Sequence, residues 1–154
     1  VAVVGDVRMK EISFRFPNAK APKGGIVGLD NQGEQPIYDK PHSMVPLLEI
    51  LQRFEAPVVM DYLSLDVEGA EDLILKSFPF DKYRFHIITV ERPSKDVNLL
   101  LETNGYKFHR ILKKNSGDTL YYHKSVESEL DIEAADQIDT MKVYAEHSRK
   151  PRTT

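Results

Sequence analysis

Two apolar runs constrain the fold of this chain more than any other feature. Residues 58–65 and residues 85–90 are nearly continuous in aliphatic and aromatic side chains, and a short helical pattern separates them. Strands with continuous apolar character are typical of parallel sheets, whose two faces are both covered by helices. The two runs therefore predict adjacent, parallel strands at the centre of an α/β sheet.

The segments around these runs predict an alternation of helices and strands. Apolar residues at helical spacing predict three helices, at about residues 45–54, 70–76 and 94–103. Asn104-Gly105 is a strong signal for the end of the third helix. Two further strands, at residues 106–112 and 118–123, are separated by a turn and predict an antiparallel hairpin. The order predicts a largely parallel sheet that ends in an antiparallel hairpin.

Residues 1–43 and the C-terminal tail give weaker signals for secondary structure than the segments between them. Residues 1–16 predict extended structure, and the Gly- and Pro-rich residues 17–43 predict a long loop. Within that loop, Gly24–Gly28 lacks the spacing of a phosphate-binding motif, so a lid or substrate loop is the better interpretation. We divide the chain into a domain at residues 1–124 and a helical, basic tail at residues 125–154.

The composition excludes several classes of protein. The chain has 154 residues, 41% hydrophobic and 29% charged, which is typical of one globular domain. It has no cysteine, so disulfides, thiolate zinc sites and iron–sulfur clusters are excluded. A net charge of −3 does not favour nucleic acid as a partner. No membrane span is predicted, because no apolar run approaches ~18 residues. The compartment is not readable, although the cytoplasm is favoured.

Carboxylates follow both apolar runs. Asp66, Glu68 and Glu71 lie within six residues directly after the first run, and Glu91 follows the second. Ligands of open α/β sheets bind at the carboxyl ends of the strands. Paired strands lie ~4.8 Å apart, so Asp66 and Glu91 are expected to face one crevice.

Each of these residues also has a structural interpretation. Glu71 lies in the first turn of a helix, where the helix dipole favours a negative charge by ~0.3–1 kcal/mol. Glu68 is able to cap the same turn, and Glu91 is able to form an ion pair with Arg92. Asp66, Glu68 and Glu91 together suit Mg²⁺ or Ca²⁺ as ligands. No ligand-rich loop supports this metal-site interpretation, and the five histidines lack metal-ligand spacing.

One segment resembles a known family. Residues 61–71, Asp-Tyr-Leu-Ser-Leu-Asp-Val-Glu-Gly-Ala-Glu, closely resemble the signature of FkbM-type S-adenosylmethionine-dependent methyltransferases. The resemblance extends over about residues 1–124, and the flanking matches lie at residues 46–51, 80–91, 100–106 and 118–121. It implies a Rossmann-like class I methyltransferase sheet with strand order 3-2-1-4-5-7-6. It also implies S-adenosylmethionine as cofactor and methyl transfer, mostly to hydroxyl oxygen.

The resemblance implies roles for five residues. Asp66 would orient the acceptor or act as a base, Glu68 would line the same crevice, and Glu91 would be the next catalytic candidate. Asp6 would approach the adenine of the cofactor. Gly69 would shape the turn beside the cofactor. Asp66 would also contribute to cofactor binding. The acceptor would be a hydroxyl group of a small molecule, a glycan or a lipid.

The sequence also departs from the family pattern. The glycine-rich loop after the family's first strand and the acidic residue after its second strand are absent from these 154 residues. The chain begins at what corresponds to the third strand, so we expect an N-terminally truncated domain that is inactive alone. We expect strand 60–66 to have an open edge. Residues 1–16, a partner chain, a second copy or a strand of a longer natural protein would pair with this edge. The alternative function is a binding module or pseudoenzyme that has lost the cofactor.

Overall fold

The structure, a computed structural model, describes residues 2–15, 24–27, 40–112 and 117–130. The elements are β1 (Ala2–Gly5), β2 (Met9–Arg15), β3 (Gly25–Ile26), β4 (Lys40–Pro46), α1 (Leu47–Arg53), β5 (Val59–Leu65), α2 (Glu71–Ser77), β6 (Arg84–Glu91), α3 (Lys95–Thr103), β7 (Tyr106–Ile111), β8 (Asp118–His123) and a short 3₁₀ helix (Lys124–Val126). The predicted helical, basic tail at residues 125–154 lies outside the described residues after residue 130.

The strands form two four-stranded sheets. The first has the order β1-β4-β2-β3, and the second has the order β5-β6-β8-β7. In the second sheet β5 and β6 are parallel, whereas β8 pairs antiparallel with both β6 and β7. The α/β class is confirmed. The described sheets are mixed and largely antiparallel rather than mostly parallel, because the hairpin strand β8 inserts between β6 and β7.

The central, doubly covered position predicted from the apolar run is wrong for β5, whereas the open edge expected from the family resemblance is confirmed within the described residues. Within the described ranges β5 pairs only with β6, so it is an edge strand. Val59 is 38% exposed and Tyr62 is 55% exposed. The neighbouring strand β6 is buried as predicted, with Ile88 and Val90 fully inaccessible. The two runs have similar composition, but only β6 has a described partner on each side.

The predicted loop at residues 17–43 is corrected by the first sheet only at residues 24–27 and 40–43, because its other residues lie outside the described ranges. Its last residues belong to β4, which pairs parallel with β1 and antiparallel with β2. Gly25–Ile26 forms a short strand on β2 instead of part of a lid. The extended structure predicted for residues 1–16 is confirmed for β1 and β2. These strands pair with β4, and not with the open edge of β5.

The helices α2 and α3 form the core with the second sheet. The largest fully buried side chains come from these helices and from β6: Ile74, Leu75, Ile88, Val90, Val97 and Leu101. Burying each such side chain contributes roughly 1.5–3 kcal/mol. None of the helices in the described ranges is long and apolar enough to cross a membrane, and the longest has nine residues.

The start of α3 ties the two helices together. Ser94 is the N-cap, and its Oγ accepts a hydrogen bond from the Val97 N–H at 3.1 Å. The same hydroxyl donates to the Asp72 carboxylate on α2 at 2.9 Å. The helix ends at Asn104-Gly105 as predicted, and Gly105 has a φ of +86°, which only glycine adopts easily. These contacts hold α2, and thus the segment before it, against the sheet.

Candidate active site at the carboxyl ends of two parallel strands

The register of β5 and β6 brings the two strongest sequence candidates together. Leu65 pairs with Val90, so the next residues of the two parallel strands, Asp66 and Glu91, lie side by side. Asp66 is exposed, whereas the Glu91 side chain is only 11% exposed. The crevice predicted from the sequence therefore has one accessible and one nearly buried carboxyl group.

A third carboxylate joins this pair. One oxygen from each of Asp66, Glu71 and Glu91 lies within 4.8 Å of the other two. Burial, and next a hydrogen bond with Asp66, raises the pKa of Glu91 above its ordinary value. An ion pair with Arg92 acts in the opposite direction but is the weaker influence. Like charges at this distance disfavour the ionised form of Glu91, which is the same direction as the effect of its burial.

Glu71 fixes the turn that carries the site. Its two carboxylate oxygens accept hydrogen bonds from the backbone N–H of Val67 at 2.9 Å and of Gly69 at 3.0 Å. Glu71 is itself only 6% exposed. Glu68 and Gly69 both have positive φ, +52° and +98°, and a left-handed conformation costs a residue other than glycine ~1–2 kcal/mol. The hydrogen bonds to Glu71 offset that cost and hold the backbone directly after Asp66.

Arg92 covers the opposite side of the crevice. Its guanidinium lies 3.1 Å from the Glu91 carboxylate and 3.9 Å from that of Glu68. Its backbone N–H donates to the carbonyl of Gly117 at 3.1 Å. A Cβ at position 117 would lie 2.7 Å from Arg92 Cγ, so this position requires glycine. The sequence suggested an ion pair with Arg92 as a structural role for Glu91. The structure contains this ion pair together with the contact between Glu91 and Asp66.

The remaining sequence candidates lie in different places. Glu68 projects toward Arg92 and is not part of the carboxylate cluster, where Glu71 takes its place. Gly69 shapes the turn, and its N–H is directed at Glu71. Asp6 follows β1 in the other sheet, outside the cluster.

Sequence reasoning missed the role of Glu71, because it assigned this residue to the helix dipole alone. A signal was available. Glu71 is the first residue of α2 and follows a Glu-Gly turn, where an acidic side chain is able to reach back to unpaired N–H groups.

The cluster has the donor atoms of a cation site. Asp66, Glu71 and Glu91 are each able to offer one carboxylate oxygen, the ligand type that Mg²⁺ and Ca²⁺ prefer. Both Glu71 oxygens, however, already accept backbone hydrogen bonds. Burial also disfavours the ionised form of Glu91, the form in which it would bind a cation.

A comparison with known protein families shows to which family the chain is related. The sequence profile described as the methyltransferase FkbM domain matches residues 6–133. The chain belongs to the FkbM methyltransferase family. The match covers most of the chain and confirms the resemblance carried by residues 61–71. No curated protein and no solved structure is significantly similar to the chain.

Membership of the FkbM family suggests S-adenosylmethionine as cofactor, but the described residues do not by themselves fit the whole molecule. The N–H groups of Val67 and Gly69 donate to Glu71, so they are not free to hold the carboxylate of the methionine moiety. The three clustered carboxylates would repel that group. In the described part of this FkbM domain, the turn after β5 therefore presents hydrogen-bond acceptors, which suit a hydroxyl-bearing acceptor molecule.

Proposed function

We propose that this chain is the acceptor-binding part of an FkbM methyltransferase that transfers a methyl group to a hydroxyl oxygen. The acceptor would be a small molecule, a glycan or a lipid. The proposal depends on one observation above all: the accessible Asp66 and the nearly buried Glu91 lie side by side at the carboxyl ends of two parallel strands.

In this proposal the carboxyl groups of Asp66 and Glu91 have different roles. The acceptor hydroxyl donates a hydrogen bond to the Asp66 carboxylate, which orients the oxygen lone pair toward the methyl donor. The acceptor oxygen would gain the methyl group as the bond between that carbon and the cofactor's sulfonium sulfur breaks to leave a neutral thioether, and the hydroxyl proton would pass to Asp66. Glu91 lies nearly buried beside Asp66 and holds that carboxylate in position. S-adenosylmethionine supplies the methyl group when it is bound.

The strand order supports a Rossmann-like class I sheet. The observed order β5-β6-β8-β7 corresponds to strands 4-5-7-6 in the order 3-2-1-4-5-7-6 that the family resemblance implies. In that assignment, strand 1 of the full sheet would pair with the open edge of β5. The exposure of Val59 and Tyr62 supports pairing at this edge, with a strand from a cofactor-binding half or from another chain.

A binding module without catalysis is the second candidate. The observation that favours it is the internal use of the Val67 and Gly69 N–H groups by Glu71. Such a module would keep the acidic crevice and bind a hydroxyl-rich ligand without transferring a methyl group.

A methyl-transfer assay separates these candidates. The chain would be extended ahead of Val1 with the glycine-rich loop and second strand of a family member and supplied with S-adenosylmethionine ¹³C-labelled at the methyl group. Alcohols, sugars and lipid headgroups would serve as acceptors, and NMR would identify the methylated atom. We expect a methoxy carbon signal. Methylation on nitrogen or carbon would contradict O-transfer, and bound cofactor with no transfer to any acceptor would favour the binding module.

A further inference from the structure

Arg92 has an unusual backbone conformation at the edge of the proposed acceptor crevice. Its φ is +42°, in the left-handed region, which is sterically unfavourable for a residue that has a side chain. Arg92 follows Glu91 directly at the end of β6. Strained backbone of this kind concentrates at sites where a side chain has to be held for binding or catalysis. The strain therefore directs attention to Arg92, to which the function proposed above assigns no task.

The surrounding structure holds Arg92 in this conformation. Its N–H donates to the carbonyl of Gly117 at 3.1 Å, and a Cβ at position 117 would lie 2.7 Å from Arg92 Cγ. Its guanidinium Nη2 lies 3.1 Å from the Glu91 carboxylate and 3.9 Å from the Glu68 carboxylate. Because Glu91 ends β6 and Glu68 follows β5, the guanidinium contacts the segments on both sides of the crevice.

Arg92 and Asp66 present opposite hydrogen-bonding groups to this crevice. The Arg92 side chain is 52% exposed and Asp66 is exposed as well, whereas Glu91, which lies against both, is nearly buried. A guanidinium only donates hydrogen bonds, and an ionised carboxylate only accepts them. A ligand in the crevice therefore meets an acceptor and a donor that are both neighbours of Glu91.

The charge of the crevice favours a neutral group on the ligand opposite Arg92. One oxygen from each of Asp66, Glu71 and Glu91 lies within 4.8 Å of the other two, and the Glu68 carboxylate also faces Arg92. An anionic group on the ligand would be repelled by these carboxylates. A hydroxyl group is neutral, and its oxygen is able to accept a hydrogen bond from the guanidinium.

We propose that Arg92 makes the crevice selective for a vicinal diol, which is a pair of hydroxyl groups on adjacent carbon atoms. The first hydroxyl donates to Asp66 and is the group that is methylated, and the oxygen of the second hydroxyl accepts from Arg92. The inference rests on the proposed acceptor-binding function and narrows the acceptor to a sugar or another polyol. Arg92 is thus a specificity-determining residue that contacts the acceptor beside its reacting hydroxyl.

A titration of the ¹⁵N-labelled 154-residue chain with cis-1,2-cyclohexanediol and with cyclohexanol tests this proposal. The two compounds differ by one hydroxyl group. We expect saturable NMR shifts of the Arg92 side-chain N–H signals with the diol, and binding of cyclohexanol that is weaker by about tenfold or more. Equal binding of the two compounds, absence of diol binding, or shifts remote from the crevice would overturn the proposal.

An anionic analogue tests whether the partner of Arg92 is neutral. In cis-2-hydroxycyclohexane-1-carboxylate a carboxylate replaces the second hydroxyl of the diol. Because the carboxylates of the crevice would repel this group, we expect the analogue to bind more weakly than the diol. Tighter binding of the analogue would show that Arg92 recognises an anion and would overturn the selectivity for a diol.

Matched variants assign the preference to Arg92. Arg92→Gln removes the charge and should reduce diol binding to the level of cyclohexanol, whereas cyclohexanol binding should stay unchanged. Arg92→Lys keeps the charge but loses the fork of donors, so it should retain part of the preference. Arg53→Gln, at an exposed arginine in the last turn of α1, should bind the diol like the wild type. A full diol preference in folded Arg92→Gln or an equal loss in Arg53→Gln would refute the role of Arg92.

The titration needs no cofactor, so its outcome is separate from that of the methyl-transfer assay. Diol binding without methylation of any acceptor would refute the proposed transfer and leave the selectivity of the crevice standing. Methylation of cyclohexanol and of the diol with equal efficiency would support the proposed transfer and overturn the selectivity.

Discussion

The carboxylate of Glu71 accepts a hydrogen bond from the backbone N–H of Gly69 at 3.0 Å, across a turn in which Glu68 and Gly69 both have positive φ. The same carboxylate accepts the N–H of Val67 at 2.9 Å. Asp66 is the residue directly before this turn. The side chain that opens α2 thus determines where the proposed acceptor-binding carboxylate lies.

Removing the Glu71 carboxylate should destabilise the domain. Glu71→Ala leaves two N–H groups without their charged acceptor, and hydrogen bonds to charged groups contribute ~1.5–3 kcal/mol each. Because part of the turn would regain water, we expect the free energy of unfolding in urea to fall by about 2–4 kcal/mol. Glu102→Ala, on an exposed helix face, should cost under ~0.5 kcal/mol. Equal losses in the two variants would show that Glu71 does not hold the turn.

Glu91 should make the domain less stable as the pH rises. Its folded-state pKa is raised, chiefly by burial, above an unfolded value of ~4.3. Its favourable contribution is therefore complete below the unfolded pKa and is lost as the pH rises through the folded pKa. Glu91→Gln should be more stable than the wild type at pH 7, and the difference should shrink near pH 4. Urea unfolding at the two pH values measures this.

The control for Glu91 is Glu68→Gln, since Glu68 also faces Arg92. This variant should show no comparable gain at pH 7. If Glu91→Gln is less stable than the wild type at pH 7, the ion pair with Arg92 outweighs the burial of the charge.

His123 should make the domain less stable as the pH falls, which is opposite to the effect expected for Glu91. Burial, with the nearby Arg84 and Lys124 charges, lowers its pKa, and its Nδ1 accepts the Ser125 N–H at 3.1 Å. Its contribution to stability is therefore present above its unfolded pKa of ~6.5 and is lost as the pH falls through the folded value. In thermal melts at pH 7.5 and 5.0, His123→Asn should lose less stability on acidification than the wild type. An unchanged acid loss, or an equal effect of His86→Asn, would contradict this.

The 154-residue chain alone should not bind S-adenosylmethionine appreciably. The sequence lacks the family's glycine-rich loop, and the N–H groups of Val67 and Gly69 are engaged by Glu71. Losing several hydrogen bonds to charged groups, at ~1.5–3 kcal/mol each, removes several decades of affinity. Calorimetric titration should give no saturation, whereas the chain extended with the family's cofactor-binding strands should bind. A micromolar dissociation constant for the chain alone would contradict this prediction.

Sequence patterns predicted the second sheet well, except for the position of β5. The apolar run of β6 and the hairpin of β7 and β8 appear as expected, because local turn signals and burial agree there. The run of β5 has the same character, but a pattern of apolar residues does not count the strands beside it. On this edge strand Val59 and Tyr62 are 38% and 55% exposed, whereas the apolar pattern predicted burial.

Other features depend on contacts between distant segments. β4 contains Pro41 and Pro46 and reads as a loop, yet pairing with β1 and β2 makes it a strand. The adjacency of Asp66 and Glu91 was predictable, since it needs only parallel pairing and a common strand end. The position of Glu71 at the start of α2 was a signal that its side chain reaches back to the turn, but its burial also depends on the left-handed backbone of that turn.

The central claim concerns Asp66 as the group that binds and deprotonates the acceptor. In the chain extended with the family's cofactor-binding strands, Asp66→Asn removes the charge while keeping the shape of the side chain. Losing a charged contact in the crevice should cost ~2–4 kcal/mol of transition-state stabilisation, about 30- to 1000-fold in rate. Asp61→Asn is the matched control, because Asp61 is an exposed carboxylate on the same strand. Glu71→Gln would be an unsuitable control, because Glu71 is buried and holds the turn after Asp66.

The most direct measurement is the turnover number for methyl transfer in Asp66→Asn and Asp61→Asn, with thermal melting of both variants alongside. The account predicts a loss of about 30- to 1000-fold in Asp66→Asn at unchanged melting temperature, and near-wild-type turnover in Asp61→Asn. Near-wild-type turnover in Asp66→Asn, or a loss that only follows unfolding, would contradict the account and assign Asp66 to structure.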